Sequence, residues 1–151
     1  MAKQSTSKFR ISTQPRDFDI RLIHKFLSGT YWAKGVPRRV VAKSIRNSLC
    51  FAVFDDKKQI GFARVITDRA TFAYLADVFI VPSHRGRGLA KKLIARILAH
   101  RELQGLRRIL LTTSDAHGLY MPFGFRPLSH PERFLTISVA NPYQSKRRSA
   151  P

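Results

Sequence analysis

The feature that most constrains the fold is a helical stripe set between two apolar strands. Leu89, Leu93, Ile94, Ile97 and Leu98 recur at helical spacing. Apolar runs at Phe72–Val81 and Arg107–Thr113 stand before and after them. Strand, helix and strand in that order make a crossover, which joins its two strands in parallel. The strands upstream follow another rule. Leu49–Phe54 and Gln59–Thr67 flank the polar turn Asp-Asp-Lys-Lys and read as a hairpin, and Phe72–Val81 follows a second turn at Asp68–Ala70. An antiparallel meander running into a parallel crossover predicts an α/β (α+β) fold: a mixed, mostly antiparallel central sheet flanked by helices. It also leaves a break in the topology where a ligand enters the sheet.

The remaining segments fit around that centre. Lys8–Gln14 alternates Phe9, Ile11 and Thr13 as a first strand, which Pro15 ends. From Asp17 to Ser28-Gly29, the positions Phe18, Leu22, Ile23, Phe26 and Leu27 share one helical stripe. A loop carrying Tyr31 and Trp32 leads to Pro37, which suits the first turn of a second helix with Val40, Val41 and Ile45 facing inward. A short helix over Ala116–Phe123 and a terminal strand at Phe134–Val139 complete the pattern. One domain over residues 1–143 is expected, with 144–151 as a basic disordered tail.

Composition removes several classes of protein. With 44% apolar and 25% charged residues, the chain has the means to build a core. Its apolar runs fall short of the ~18 residues that cross a bilayer, so no membrane partner is expected. The opening MAKQSTSKFRIS has no apolar segment resembling a secretory signal. The single Cys50 excludes an internal disulfide framework and a multi-cysteine zinc site, and no metal is expected. Cys50 lies in an apolar strand with no activating neighbour, which marks a buried structural thiol. A cytoplasmic protein is the expectation. The charge stands out: 28 Lys and Arg against nine Asp and Glu give +19. That suits a polyanionic partner, a phosphate-rich cofactor or a nucleic acid, but also a merely basic, soluble surface.

The turn between Val81 and Leu93, VPSHRGRGLAKKL, narrows the choice. Gly86 and Gly88 allow a sharp turn and close approach of a ligand to the backbone. The helix behind them directs its unpaired N–H groups and its positive end into the same place. Arg85, Arg87 and Lys91 add positive potential, so the turn is an anion cradle. It lacks the G-x-x-x-x-G-K-S/T of a mononucleotide loop, and Lys91 stands where a dinucleotide fingerprint has its third glycine.

These residues resemble the GCN5-related N-acetyltransferases, whose hallmark Arg/Gln-x-x-Gly-x-Gly/Ala is matched by Arg85, Gly88 and Ala90. The preceding Val-Phe-Ile-Val-Pro is similar to the strand end of that family, with Ile80 and Pro82 at the marked positions. Leu119-Tyr120-Met121-Pro122-Phe123-Gly124-Phe125 resembles its second motif, L-Y-x-x-x-G-F. The likeness extends over about residues 8–138, with Thr113 where the family often has Asn. It implies acetyl-CoA as co-substrate and direct transfer of acetyl to an amine. The amides of residues 86–91, Leu89 and Ala90 among them, are then expected to receive the pyrophosphate. The backbone of Phe79 and Val81 is expected along the pantetheine arm, and an N–H of Phe79 or Ile80 on the thioester carbonyl. Tyr120 is the expected acid for the leaving thiolate.

Asp77, acting through water, is the first candidate to take the amine's proton, with His84 behind it. Asp115 and His117 beside the second motif suit a helix cap and a surface position. Tyr31 and Trp32 either line the acceptor pocket or plug the core. The acceptor is a small-molecule or protein amine, and a homodimer is compatible with the resemblance. The alternatives from other classes are a nucleic-acid- or ribosome-associated module using the basic surface, and a non-catalytic relative that binds a CoA ester.

Overall fold

The computed structural model describes residues 8–144, so all but the first residue of the tail expected at 144–151, and the first seven residues, lie outside it. The sheet has five strands: β1 (Phe9–Ser12), β2 (Leu49–Asp55), β3 (Lys58–Thr67), β4 (Phe72–Ile80) and β5 (Arg108–Leu110). Their spatial order is their order in the chain. β1 to β4 pair antiparallel, and β4 pairs with β5 in parallel, as the crossover requires.

Helices α1 (Ile20–Ser28) and α2 (Arg38–Arg46) cover one face of the sheet, with α3 (Leu89–Leu98) and the single turn α4 (His117–Tyr120) on the other. Because strand side chains alternate between faces, each face has its own core. Phe51, Val53, Ile60 and Val65 meet Leu93, Ile94 and Ile97 of α3. Ala52, Phe54, Phe62 and Phe79 meet Ile23 and Leu27 of α1 and Val41 and Ile45 of α2. Asp19 caps α1 by accepting from the Leu22 N–H at 3.0 Å. Phe26 of α1 stacks on Phe79 of β4, ring centroids 3.9 Å apart and planes 11° apart, which fixes the end of α1 above β4. No helix among the described residues is long and apolar enough to cross a membrane.

Two expectations change. The strand foreseen at Arg107–Thr113 pairs with β4 only over Arg108–Leu110, opposite Phe72–Tyr74. Beyond that point β4 carries a bulge. Phe62 faces Phe79 and Arg64 faces Ala76, so Asp77 and Val78 together oppose Ala63. Asp77 takes φ +55°, a left-handed conformation unusual for a residue with a side chain. The two strands part after Tyr74 and Leu110, with Tyr74 Oη and Thr112 Oγ1 2.7 Å apart at the fork. The terminal strand foreseen at Phe134–Val139 is exposed and joins no strand pair among the described residues.

Candidate active site

The fork between β4 and β5 opens at their C-terminal ends, and the parallel crossover places the start of α3 at the same end. Gly86 and Gly88 have φ +75° and +74°, so the turn is built from left-handed backbone that glycine adopts without strain. A Cβ at either position would meet nothing within 4 Å; backbone conformation, not space, selects glycine there. The first intrahelical bond runs from the Lys92 N–H to the Gly88 carbonyl, leaving the amides of Leu89, Ala90 and Lys91 without an acceptor inside the helix. The amides of Gly86, Arg87 and Gly88 donate to no backbone group among the described residues. Six consecutive N–H groups are thus available at the positive end of a helix dipole. Arg87 and Lys91 are exposed beside them, whereas the Leu89 side chain is buried and anchors the helix.

Arg85 is occupied by the turn itself: its Nε donates to the Ile80 carbonyl at 3.0 Å. His84 is drawn the other way, with Nε2 3.0 Å from Oδ2 of Asp55 on β2. The phase of β4 differs from the expectation. The Val81 N–H donates to the Ile60 carbonyl at 2.8 Å, and the Val81 carbonyl accepts from the His84 N–H at 3.0 Å. Phe79 is paired with Phe62, so both Phe79 and Val81 turn their backbones toward β3. Alternation then gives the open edge of β4 to Ile80, between them.

The loop after α1 roofs the fork. Trp32 Nε1 donates to Asp77 Oδ1 at 3.1 Å, and Tyr31 Oη lies 3.0 Å from Ser114 Oγ beyond β5. The two rings pack edge to face with centroids 5.1 Å apart. Tyr31 and Trp32 are substantially exposed, so they wall the opening and do not plug the core. Asp77 also accepts from Arg64 Nε at 2.8 Å, and Arg64 NH1 donates to Ser48 Oγ at 3.3 Å. Sequence reasoning missed Arg64, although a lone cation inside the apolar strand Gln-Ile-Gly-Phe-Ala-Arg-Val-Ile-Thr was a visible signal. It missed Ser114 for want of any signal.

Tyr120 closes α4 and is buried, packed edge to face on Phe125 with centroids 5.8 Å apart. Burial, with the nearby Asp115 carboxylate adding to it, raises the phenol above its ordinary pKa. The group is therefore a protonated donor through neutral and mildly alkaline pH. Thr113 accepts from the Ala116 N–H at 3.0 Å and so starts α4, a task that a short polar side chain performs well. Cys50 is buried, and desolvation pushes its thiol up to about 12, which leaves it inert as a nucleophile.

Comparison with known proteins agrees with this geometry. Residues 46–127 match the acetyltransferase (GNAT) domain model. A Gibberella zeae protein named as an acetyltransferase is 30% identical over 135 residues, 74% of this chain and 75% of that protein. A crystal structure of a GNAT-family protein from Xanthomonas campestris pv. campestris is 50% identical, covers 91% of this chain and 98% of its own, and superposes with a TM-score of 0.89. An acetyltransferase from Clostridium acetobutylicum crystallised with acetyl-CoA shares the fold at 15% identity, covering 87% of this chain and 95% of its own, with a TM-score of 0.62. The chain belongs to the GCN5-related N-acetyltransferase family and is an acetyltransferase.

Proposed function

We propose that this acetyltransferase moves the acetyl group of acetyl-CoA directly onto an amine, with both substrates bound in the fork between β4 and β5. The observation that carries the reading is the run of free amides from Gly86 to Lys91, opening where the strands part. A diphosphate fits such a run, with Arg87 and Lys91 adding charge. The backbone of Ile80 lies on the open edge, where its N–H polarises the thioester carbonyl and stabilises the oxyanion formed on attack. One such donor contributes about 3 kcal/mol to the transition state. Collapse breaks the carbon–sulfur bond, and Tyr120, kept protonated by its burial, gives its proton to the departing thiolate.

The acceptor enters beneath Tyr31 and Trp32. Asp77 is the carboxylate beside it. Each oxygen already accepts one hydrogen bond and keeps a second lone pair, so the amine's proton reaches it through water. The shared fold of the Clostridium acetobutylicum protein with acetyl-CoA supports the choice of donor. A single buried thiol suits a cytoplasmic setting.

Thermal melts with acetyl-CoA, free CoA and RNA side by side test the class. Stabilisation by both CoA ligands, with thiol release on adding an amine, is the expected result. Stabilisation by RNA alone would favour a nucleic-acid-binding module that uses the +19 charge.

A further inference from the structure

The outer side of α1 and α2 carries charge of one sign only. Between Ile20 and Asn47 the sequence holds seven Lys and Arg and no Asp or Glu. On α1, Arg21 and Lys25 are exposed one turn apart. On α2, Arg39, Lys43 and Arg46 are exposed at spacings of four and three, a stripe about 10 Å long.

This arrangement is costly for the free protein. Arg38 and Arg39 stand in the first turn of α2, where the helix dipole opposes positive charge and no acidic residue offsets it. The ion pairs among the described residues involve none of the seven cations. A nucleic-acid strand relieves the repulsion between them, and it releases its own condensed counterions on binding.

The loop joining the two helices adds exposed rings. Tyr31 is 72% exposed and Trp32 46%, with Lys34 exposed beside them. Their polar ends are held by Ser114 and Asp77, so the rings are set in place before a ligand arrives. The loop is tied to α1 by the Gly35 N–H, which donates to the Ser28 carbonyl at 3.0 Å, and by His24 Nε2, 2.9 Å from the Val36 carbonyl. Rings and cations thus form one preorganised surface.

Rings beside a cationic track suit a single strand, whose bases stack while its phosphates pair with the cations. An acidic protein would use the cations and leave the rings idle. A membrane surface would call for exposed aliphatic side chains, and no large aliphatic side chain of α1 or α2 is exposed.

We propose that the outer face of α1 and α2, with Tyr31 and Trp32 at its edge, binds single-stranded nucleic acid. The amide cradle of α3 lies on the other side of the sheet and stays free for its own anion. This inference does not rest on the identity of the acetyl donor or acceptor.

Fluorescence anisotropy with a labelled oligouridine of about 12 nucleotides tests it. The wild-type chain is expected to bind at about 150 mM salt, with an affinity that falls as salt rises. Arg39→Gln/Lys43→Gln/Arg46→Gln keeps good helix formers on α2. It should bind at least about tenfold more weakly, and its plot of log affinity against log salt should be shallower by about two. Should that variant lose its fold by circular dichroism, Arg21→Gln/Lys25→Gln on α1 takes its place, with a slope shallower by about one.

Absence of wild-type binding, or a folded variant with unchanged affinity and slope, would overturn the proposal. Equal binding of poly-glutamate would overturn it too. So would loss of oligouridine binding under saturating CoA, which would place the strand in the cradle of α3. A chain that ignores CoA yet binds oligouridine through α1 and α2 would sink the acetyl-CoA reading and leave this one standing.

Discussion

Trp32 Nε1 and Asp77 Oδ1 lie 3.1 Å apart, joining the loop after α1 to the bulge of β4 across 45 positions of sequence. The bond holds one wall of the fork in place. Replacing Trp32 with Phe keeps an aromatic ring and removes the donor. One hydrogen bond of about 1 kcal/mol corresponds to roughly a fivefold effect. Steady-state kinetics should show the KM for the amine raised by about that factor, with acetyl-CoA binding unchanged.

Asp77→Asn retains an acceptor for Trp32 and removes the charge facing Arg64. If the carboxylate takes the amine's proton through water, kcat falls at least about tenfold and the acidic limb of the pH–rate profile changes. A lower kcat with an unaltered profile would assign Asp77 to holding Trp32 alone.

Tyr120→Phe removes the hydroxyl proposed to protonate the thiolate and keeps the ring that packs on Phe125. A drop in kcat of about a hundredfold is expected, with acetyl-CoA affinity retained. The sign of the pH effect follows from the raised pKa. An acid works while protonated, so the wild-type enzyme should lose its phenol-dependent rate only above the ordinary tyrosine value of about 10. That alkaline limb should be missing from the variant.

Gly88→Ala places a side chain at φ +74°. The left-handed conformation costs an L-residue about 1–2 kcal/mol. The turn then either keeps its shape and the melting temperature falls, or relaxes and misaligns the amides. A thermal melt and calorimetry with acetyl-CoA should show a lower melting point in the first case and a weaker Kd in the second, and at least one of the two changes is expected.

Much of this was legible in the sequence because it is local. The hairpin of β2 and β3, the buried stripe of α3 and the turn through Gly86 and Gly88 each follow from neighbouring residues. The fork was not legible in the same way. It goes with a bulge at Asp77, whose positive φ cannot be foretold from the residue type alone, beyond the last β5 pair at Tyr74 and Leu110. The bulge also shifts the alternation, which is why Ile80 and not Val81 faces the opening. The bond from Tyr31 to Ser114 spans 83 positions and exists only once the sheet has formed. Phe134–Val139 has a clear strand pattern, but a pattern of two does not say which edge, if any, a segment pairs with.

The central claim is that the amides of Gly86–Lys91 hold the diphosphate of acetyl-CoA. Backbone amide NMR during a titration with acetyl-CoA tests it most directly. The largest shift changes should fall on residues 86–91 and be absent with acetyl-pantetheine, which lacks the diphosphate. Binding that leaves those six amides unmoved would contradict the account.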